Sequence, residues 1–283
     1  MLEVKNIAEL KQKIKDLKAE NKTIGLVPTM GFLHEGHGSL IKRARAENDI
    51  VVVSVFVNPK QFAANEDLSN YPRDLTKDSA YCRELNADIL FIPDADEIYP
   101  AGFNSFADVY QLGDNLCGIK RAGHFRGVCT VIVKLFNLIK PNRAYFGQKD
   151  AQQLAIIKRI TADFNFDVEV IGCPIVREAD GLAKSSRNFY LNSEERKAAT
   201  IINKAMQTGQ KIIADGEKNT AVVLEKIRAI IESEKLARID YLQAVDLENM
   251  QDIASVKNNT LFATAVFVGK ARLLDNFLIE NID

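Results

Sequence analysis

The run DIVVVSVFVN, Asp49–Asn58, limits the fold more than any other stretch of this sequence. Side chains branched at Cβ favour extended backbone. A strand with one face in water alternates apolar and polar residues, and this run barely alternates. It is therefore expected to be buried on both faces, as in a parallel sheet covered by helices. Parallel neighbours need crossover connections, so the flanking sequence should be helical.

The flanks agree. Ile7, Leu10, Ile14 and Leu17 form one stripe of an amphipathic helix predicted over Leu2–Asn21. TIGLVPT (Thr23–Thr29) reads as a strand and SLIKRARAEN (Ser39–Asn48) as a helix leading into the apolar run, which completes one βαβ unit. The pattern recurs. A helix over Leu75–Asn86 precedes a strand over Ala87–Pro93. A helix over Thr130–Ile139 precedes Ala144–Gly147, and a helix over Ala151–Asn165 precedes Asp167–Ile175. This alternation predicts an α/β fold, a Rossmann-like doubly wound parallel sheet.

After about Asn192 the character changes. Helical stretches over Glu194–Ala214 and Thr220–Glu234 precede RIDYLQAVD and TLFATAVFVGKARLLDNFL. The last segment reads as two antiparallel strands joined near Gly269–Lys270, so a smaller α+β domain is expected. We place the domains at 1–176 and 177–283, and 283 residues suit one large and one small domain.

Composition excludes some partners. Hydrophobic residues make up 47% and charged residues 27%, and the formal net charge is -1. Such a chain has no global basic field for nucleic acid or an anionic membrane, so any anion site must be local. No apolar stretch is long enough to span a bilayer. The N-terminal 22 residues are charged throughout and lack the apolar core of a signal peptide, so a cytoplasmic protein is expected. The four cysteines are widely spaced with no C-x-x-C, which favours buried thiols over a disulfide or zinc framework.

The chain has three histidines, and two lie in TMGFLHEGH, Thr29–His37, between a predicted strand and a predicted helix. A helix N-terminus offers N–H donors and the positive end of the dipole, which suit phosphate. His34 and His37, at i and i+3, point the same way if the helix has begun. A zinc helix places its histidines at i and i+4, so no metal site is expected here. Helix capping is the competing reading of the pair. The P-loop and G-x-G-x-x-G patterns are both absent.

Other polar stretches fall at predicted strand ends. ADGLAKSSRN brings Lys184, Ser185, Ser186 and Arg187; alone it reads more readily as a solvated interdomain loop than as a phosphate site. FGQKDAQQL brings Lys149, Asp150 and Gln153, with Asp150 also a natural helix cap. VNPKQF brings Asn58 and Gln61, and KRAGHFRGV holds His124. In open α/β sheets, ligands bind beyond the C-terminal strand ends.

VPTMGFLHEGHGSL resembles the HIGH-type motif of the nucleotidyltransferase superfamily, and AKSSRN resembles the counterpart of its KMSKS loop. With SVFVNPKQF, YPRD, AGHFRGV and FGQKDAQQL in this order, the sequence is similar to the pantoate–β-alanine ligase (pantothenate synthetase) family. The resemblance runs from about Thr23 to Asn192 and continues more weakly beyond. Lys184 stands where methionine is commonest, and Gly38 where a larger residue is usual. The resemblance implies ATP, pantoate and β-alanine as substrates, Mg²⁺ arriving with ATP, no protein metal site, and a homodimer. It implies catalytic roles for His34, His37, Lys149 and Arg187. ATP is expected at Met30, Gly31, Phe32, Leu33, His34, Glu35, Gly36, His37, Gly147, Gln148, Lys149, Asp150, Val176, Lys184, Ser185, Ser186 and Arg187. Pantoate is expected at Asn58, Gln61, Gln153 and His124. Two other functions compete: a nucleotidyl transferase with a phosphorylated acceptor, and a nucleotide-binding module without catalysis. The two glutamines favour a hydroxy-acid over a phosphorylated acceptor, whose pocket should be richer in Arg and Lys.

Overall fold

The structure, a computed structural model, describes residues 1–63, 66 and 68–280. By its internal packing the chain divides into two units. The first holds Met1–Tyr110, Arg121–Gln148 and Ile156–Pro174; the second holds Gln111–Lys120, Lys149–Ala155 and the chain from Ile175 on.

In the first unit, the described residues form a six-stranded sheet in the order β1-β4-β3-β2-β5-β6, with every pair parallel. The strands are β1 (Leu2–Val4), β2 (Ile24–Thr29), β3 (Ile50–Val55), β4 (Ile89–Phe91), β5 (Arg143–Gly147) and β6 (Glu169–Cys173). The helices between these strands along the chain are α1 (Ile7–Ala19), α2 (Glu35–Glu47), α3 (Leu75–Glu84), α4 (Ala95–Ile98), α5 (Cys117–Lys120), α6 (His124–Ile139) and α7 (Ala151–Asp163). Val51, Val52 and Val53 are fully buried, as the unbroken apolar run requires. The Rossmann-like α/β reading holds.

Strand order reverses between β2 and β5. Their ladder covers only Gly25–Arg143 and Leu26–Ala144, whereas β2 stays paired with β3 as far as Thr29–Val55. Pro28, which has no N–H to offer, lies just past the point where the β5 ladder stops. Beyond it the turns leaving β2 and β5 flank the place where such sheets bind ligands.

In the second unit, the described residues form a three-stranded antiparallel sheet, β7 (Ala237–Asp246), β8 (Thr260–Val268) and β9 (Ala271–Ile279), in that order. Helices α8 (Ser193–Ala198), α9 (Thr200–Ala214) and α10 (Thr220–Glu232) precede it. Ile202, Met206, Val223, Ile227, Phe262, Val266 and Phe277 share one core. Among the described residues no helix is long and apolar enough to cross a membrane.

The structure corrects several boundaries. Leu2–Val4 is the edge strand β1, paired with Ile89–Phe91, and not the start of a helix. Helix α1 begins at Ile7, where the Asn6 side chain caps it by accepting from Glu9 N at 2.8 Å. Helix α2 begins at Glu35, inside the histidine turn. Helix α6 begins at His124, just after Gly123 with its φ of 77°. The helix expected over Glu194–Ala214 is two helices that meet at Ala199.

Helix α6 contains Gly127, and a Cβ there would lie 2.2 Å from the carbonyl oxygen of Lys60. That oxygen belongs to the 3-10 turn Pro59–Gln61, so the glycine lets helix and turn touch. Gly127→Ala is expected to lower stability by about 2 kcal/mol, as for overpacking against backbone. Denaturant titration would check this, and an unchanged midpoint would mean that the turn yields without cost.

Candidate active site

The turn leaving β2 is built from inside. Gly31 has a φ of 81° and Phe32 a φ of 52°, so two successive residues take the left-handed conformation. Thr29 Oγ1 accepts from Gly31 N at 3.2 Å and donates to Ser54 O at 2.8 Å. The buried Asp78 carboxylate accepts from Phe32 N at 2.9 Å and Leu33 N at 2.7 Å. Burial pushes the Asp78 carboxyl up, against the two N–H bonds that pull it down. The Tyr81 hydroxyl stands 2.2 Å from where a Cβ on Gly38 would be. A tyrosine from α3 thus fills the space left by the unusual glycine.

The capping reading of the histidine pair is seen directly here. His34 is the N-cap of α2, and its Nδ1 accepts from Gly36 N at 3.1 Å. His37 is the third helical residue, and its Nδ1 accepts from His34 N at 3.3 Å. This is a reciprocal capping box made of imidazoles. The ring centroids are 4.1 Å apart, so the rings share one side of the helix start. A nitrogen that accepts carries no proton, so each neutral ring bears its proton on Nε2. The pair therefore caps the helix with one edge and presents a donor with the other. Donors at a helix N-terminus can hold an anion.

The pantoate candidates of the first unit adjoin this turn. Gln61 is buried, and its Nε2 donates to Met30 Sδ at 3.0 Å. Asn58 is only 1% exposed, and its amide is held on all sides. It donates to Gln61 Oε1 and to Gly127 O, both at 3.0 Å, and accepts from Tyr99 Oη at 2.8 Å and Lys60 N at 3.2 Å. His124 engages the backbone of Gln61, its Nδ1 lying 2.8 Å from Gln61 O. Gly147 ends β5 and Gln148 opens a 3-10 turn.

The other candidates lie in the second unit. Lys149 and Asp150 finish that 3-10 turn, with Lys149 Nζ 3.5 Å from Asp150 Oδ2. Asn276 Nδ2 donates to Lys149 O at 2.9 Å and pins the turn. Of the neighbouring glutamines, Gln152 is structural. It is buried, donates to Leu112 O and Asn115 O and accepts from Cys117 N. Gln153 follows on α7, half-buried.

Val176 and Lys184 lie on two arms of a small hairpin. Lys184 N donates to Val176 O at 2.9 Å, and Arg177 bridges Ala183. The Lys184 ammonium lies 3.1 Å from Glu178 Oε2. Lys184 thus makes an ion pair inside its own loop. Ser185 caps the following 3-10 turn, Ser186–Tyr190, by accepting from Arg187 N.

The four cysteines are buried, and burial pushes the thiols of Cys82 and Cys129 up to about 12. Both thiols stay protonated at neutral pH, so neither serves as a nucleophile.

The sequence matches the family model for pantoate-beta-alanine ligase over residues 3–278. The chain belongs to this family. It is 55% identical over 277 residues to a pantothenate synthetase of Ruminiclostridium cellulolyticum, covering 98% of each chain. It is 53% identical over 277 residues to one of Clostridium botulinum, covering 98% of this chain and 99% of that one. The crystal structure of pantothenate synthetase from Thermus thermophilus superposes with a TM-score of 0.94 at 41% identity, over 99% of this chain and all of that one. The pantoate-beta-alanine ligase of Francisella tularensis, solved with beta-gamma ATP and beta-alanine, gives 0.81 at 36% identity, over 98% and 97%. The activity is that of the family: ATP-dependent ligation of pantoate to β-alanine, yielding pantothenate.

Asp78 was not legible as part of the site. It sits on α3, 46 residues from the Phe32 N–H it holds. Its only local mark is that it follows the N-cap Asp74 by four residues, which reads as an ordinary first-turn acid.

Proposed function

We propose that the chain makes pantothenate through pantoyl adenylate, with ATP at the histidine-capped start of α2. The observation that carries this is the imidazole capping box, in which both rings accept through Nδ1 at the helix start with their centroids 4.1 Å apart. In the first step a pantoate carboxylate oxygen attacks the α-phosphorus, and the bond to the β-phosphate oxygen breaks to release pyrophosphate. A carboxylate is already a nucleophile, so this step needs positioning and charge neutralisation and no base. His34, His37, Lys149, Ser185, Ser186 and Arg187 donate to the phosphates, and the backbones of Met30–His37, Gly147–Asp150 and Val176 line the nucleotide. In the second step the β-alanine nitrogen attacks the acyl carbon, AMP leaves, and the amine proton is lost to solvent.

Among the described residues no group of three or more His, Cys, Asp or Glu side chains could hold a metal ion. Mg²⁺ would come with ATP and would offset the charge of its phosphates. Gln61 and Gln153 bind the hydroxyls and carboxylate of pantoate, with Asn58 and His124 beside Gln61. Neutral amides do this without quenching the nucleophile. Residues 177–283 act as a lid domain that keeps water from the adenylate. The assembly is a homodimer in the cytoplasm.

The test is pyrophosphate release from ATP and Mg²⁺ with pantoate, with and without β-alanine. Release that depends on pantoate, followed by AMP and pantothenate once β-alanine is added, is the expected result. Release that requires β-alanine from the outset would refute the adenylate. Gln153→Ala is expected to raise KM for pantoate about tenfold and KM for ATP less than about twofold. Equal effects on both substrates would remove Gln153 from the pantoate subsite.

A further inference from the structure

Gln61 is held from two directions. Asn58 and Met30 fix its side-chain amide. Its backbone carbonyl is fixed separately, by His124 Nδ1 2.8 Å away and by a longer contact from Arg121 Nη2 at 3.4 Å. A carbonyl oxygen can only accept, so His124 Nδ1 carries the proton. The Nε2 of that neutral ring then accepts, and Arg121 Nη1 stands 2.9 Å from it. Arg121 is held in turn by Glu66. The guanidinium donates through Nε to Oε1 at 2.7 Å and through Nη2 to Oε2 at 2.6 Å, a two-pronged pair with little exposure on either side. Three side chains, Glu66, Arg121 and His124, thus converge on one backbone carbonyl, and each contact fixes the next group in one orientation.

We propose that Glu66, Arg121 and His124 are positioning residues for pantoate. Glu66 orients Arg121, Arg121 fixes the tautomer and plane of His124, and His124 holds the carbonyl of Gln61. The 3-10 turn then keeps the Gln61 amide at one place. On this account His124 acts through Gln61 and does not itself touch substrate. The proposal rests on the reading of Gln61 as a partner of pantoate. Its logic is that of outer groups that orient an inner ligand.

The experiment compares KM for pantoate and for ATP in four variants, each with a thermal melt. His124→Asn keeps an N–H donor near the place of Nδ1, whereas His124→Phe keeps a ring and loses the donor. His124→Phe and Arg121→Met are each expected to raise KM for pantoate about tenfold, with KM for ATP changed less than about twofold. His124→Asn is expected to stay within about threefold of the parent, a rescue that a merely space-filling ring would not show. Should His124→Phe not fold, Arg121→Met carries the same comparison. Parallel rises in both KM values, or no rise in either, would overturn the proposal. Gln61→Ala separates the two levels. If it leaves KM for pantoate unchanged, the assignment of Gln61 itself fails. If it raises KM while Arg121→Met does not, only the positioning chain fails.

Discussion

Arg177→Ala is expected to lower the free energy of unfolding by about 3 kcal/mol, the low end of the range for breaking a buried ion pair. Its partner Asp275 lies on β9 with a side chain only 2% exposed. The guanidinium grips that carboxylate with two parallel bonds of 2.8 Å, Nη1 to Oδ2 and Nη2 to Oδ1. Alanine leaves the carboxylate in place without its cation, and the Asn276 N–H that Oδ1 accepts at 2.8 Å offsets only part of the desolvation. The low end applies because Arg177 itself is 28% exposed, so water can partly replace it. The same Nη1 also donates to Gly181 O at 3.0 Å, inside the hairpin that leads to Lys184–Arg187. Pyrophosphate release should therefore fall along with stability. The control is a double change. Arg177→Met with Asp275→Leu removes both charges and keeps the volume, and it should recover most of the lost stability. Urea titration of the single and double variants reads the difference from the midpoints. A single variant that unfolds at the parent's midpoint would mean that the pair adds no net stability.

This pair marks where sequence reading stops. Arg177 and Asp275 are 98 residues apart, and neither carries a local sign of the other. The same holds for Asp78 and Phe32, and for Gly38 and the Tyr81 that fills its space. Features that repeat along one element were legible. The unbroken run of β3 gave burial on both faces and hence a parallel sheet. The stripe of Leu10, Ile14 and Leu17 gave the buried face of α1. Leu2–Val4 was lost to that helix because three residues cannot show a period, and only pairing with β4 makes them a strand. The candidate site was legible as motifs at strand ends, because strand ends can be counted along the chain. What holds those motifs in shape was not. Asn58 and His124 reach toward Gln61, and Gln152 is a structural amide beside Gln153. These distinctions depend on direction, which spacing does not encode.

The histidine pair allows binding and capping to be separated by chemistry. Asparagine places an amide oxygen close to where Nδ1 of histidine lies, and glutamine places an N–H close to Nε2. His37→Asn should therefore keep the bond from His34 N and lose the outer donor. His37→Gln should keep the donor and lose the cap. Pantoate-dependent pyrophosphate release is expected to fall about a hundredfold in His37→Asn, the effect of removing one preorganised donor from developing phosphate charge. Its melting temperature should hold. His37→Gln should retain more of the rate but lose about 1 kcal/mol of stability, the worth of a helix cap. A histidine three residues from another at a helix start can do both jobs, since a neutral imidazole accepts at one nitrogen and donates at the other. If His37→Asn released pyrophosphate at the parent rate, His37 would be a cap and nothing more. The phosphate donors would then have to be sought in Lys149 and in the loop Lys184–Arg187.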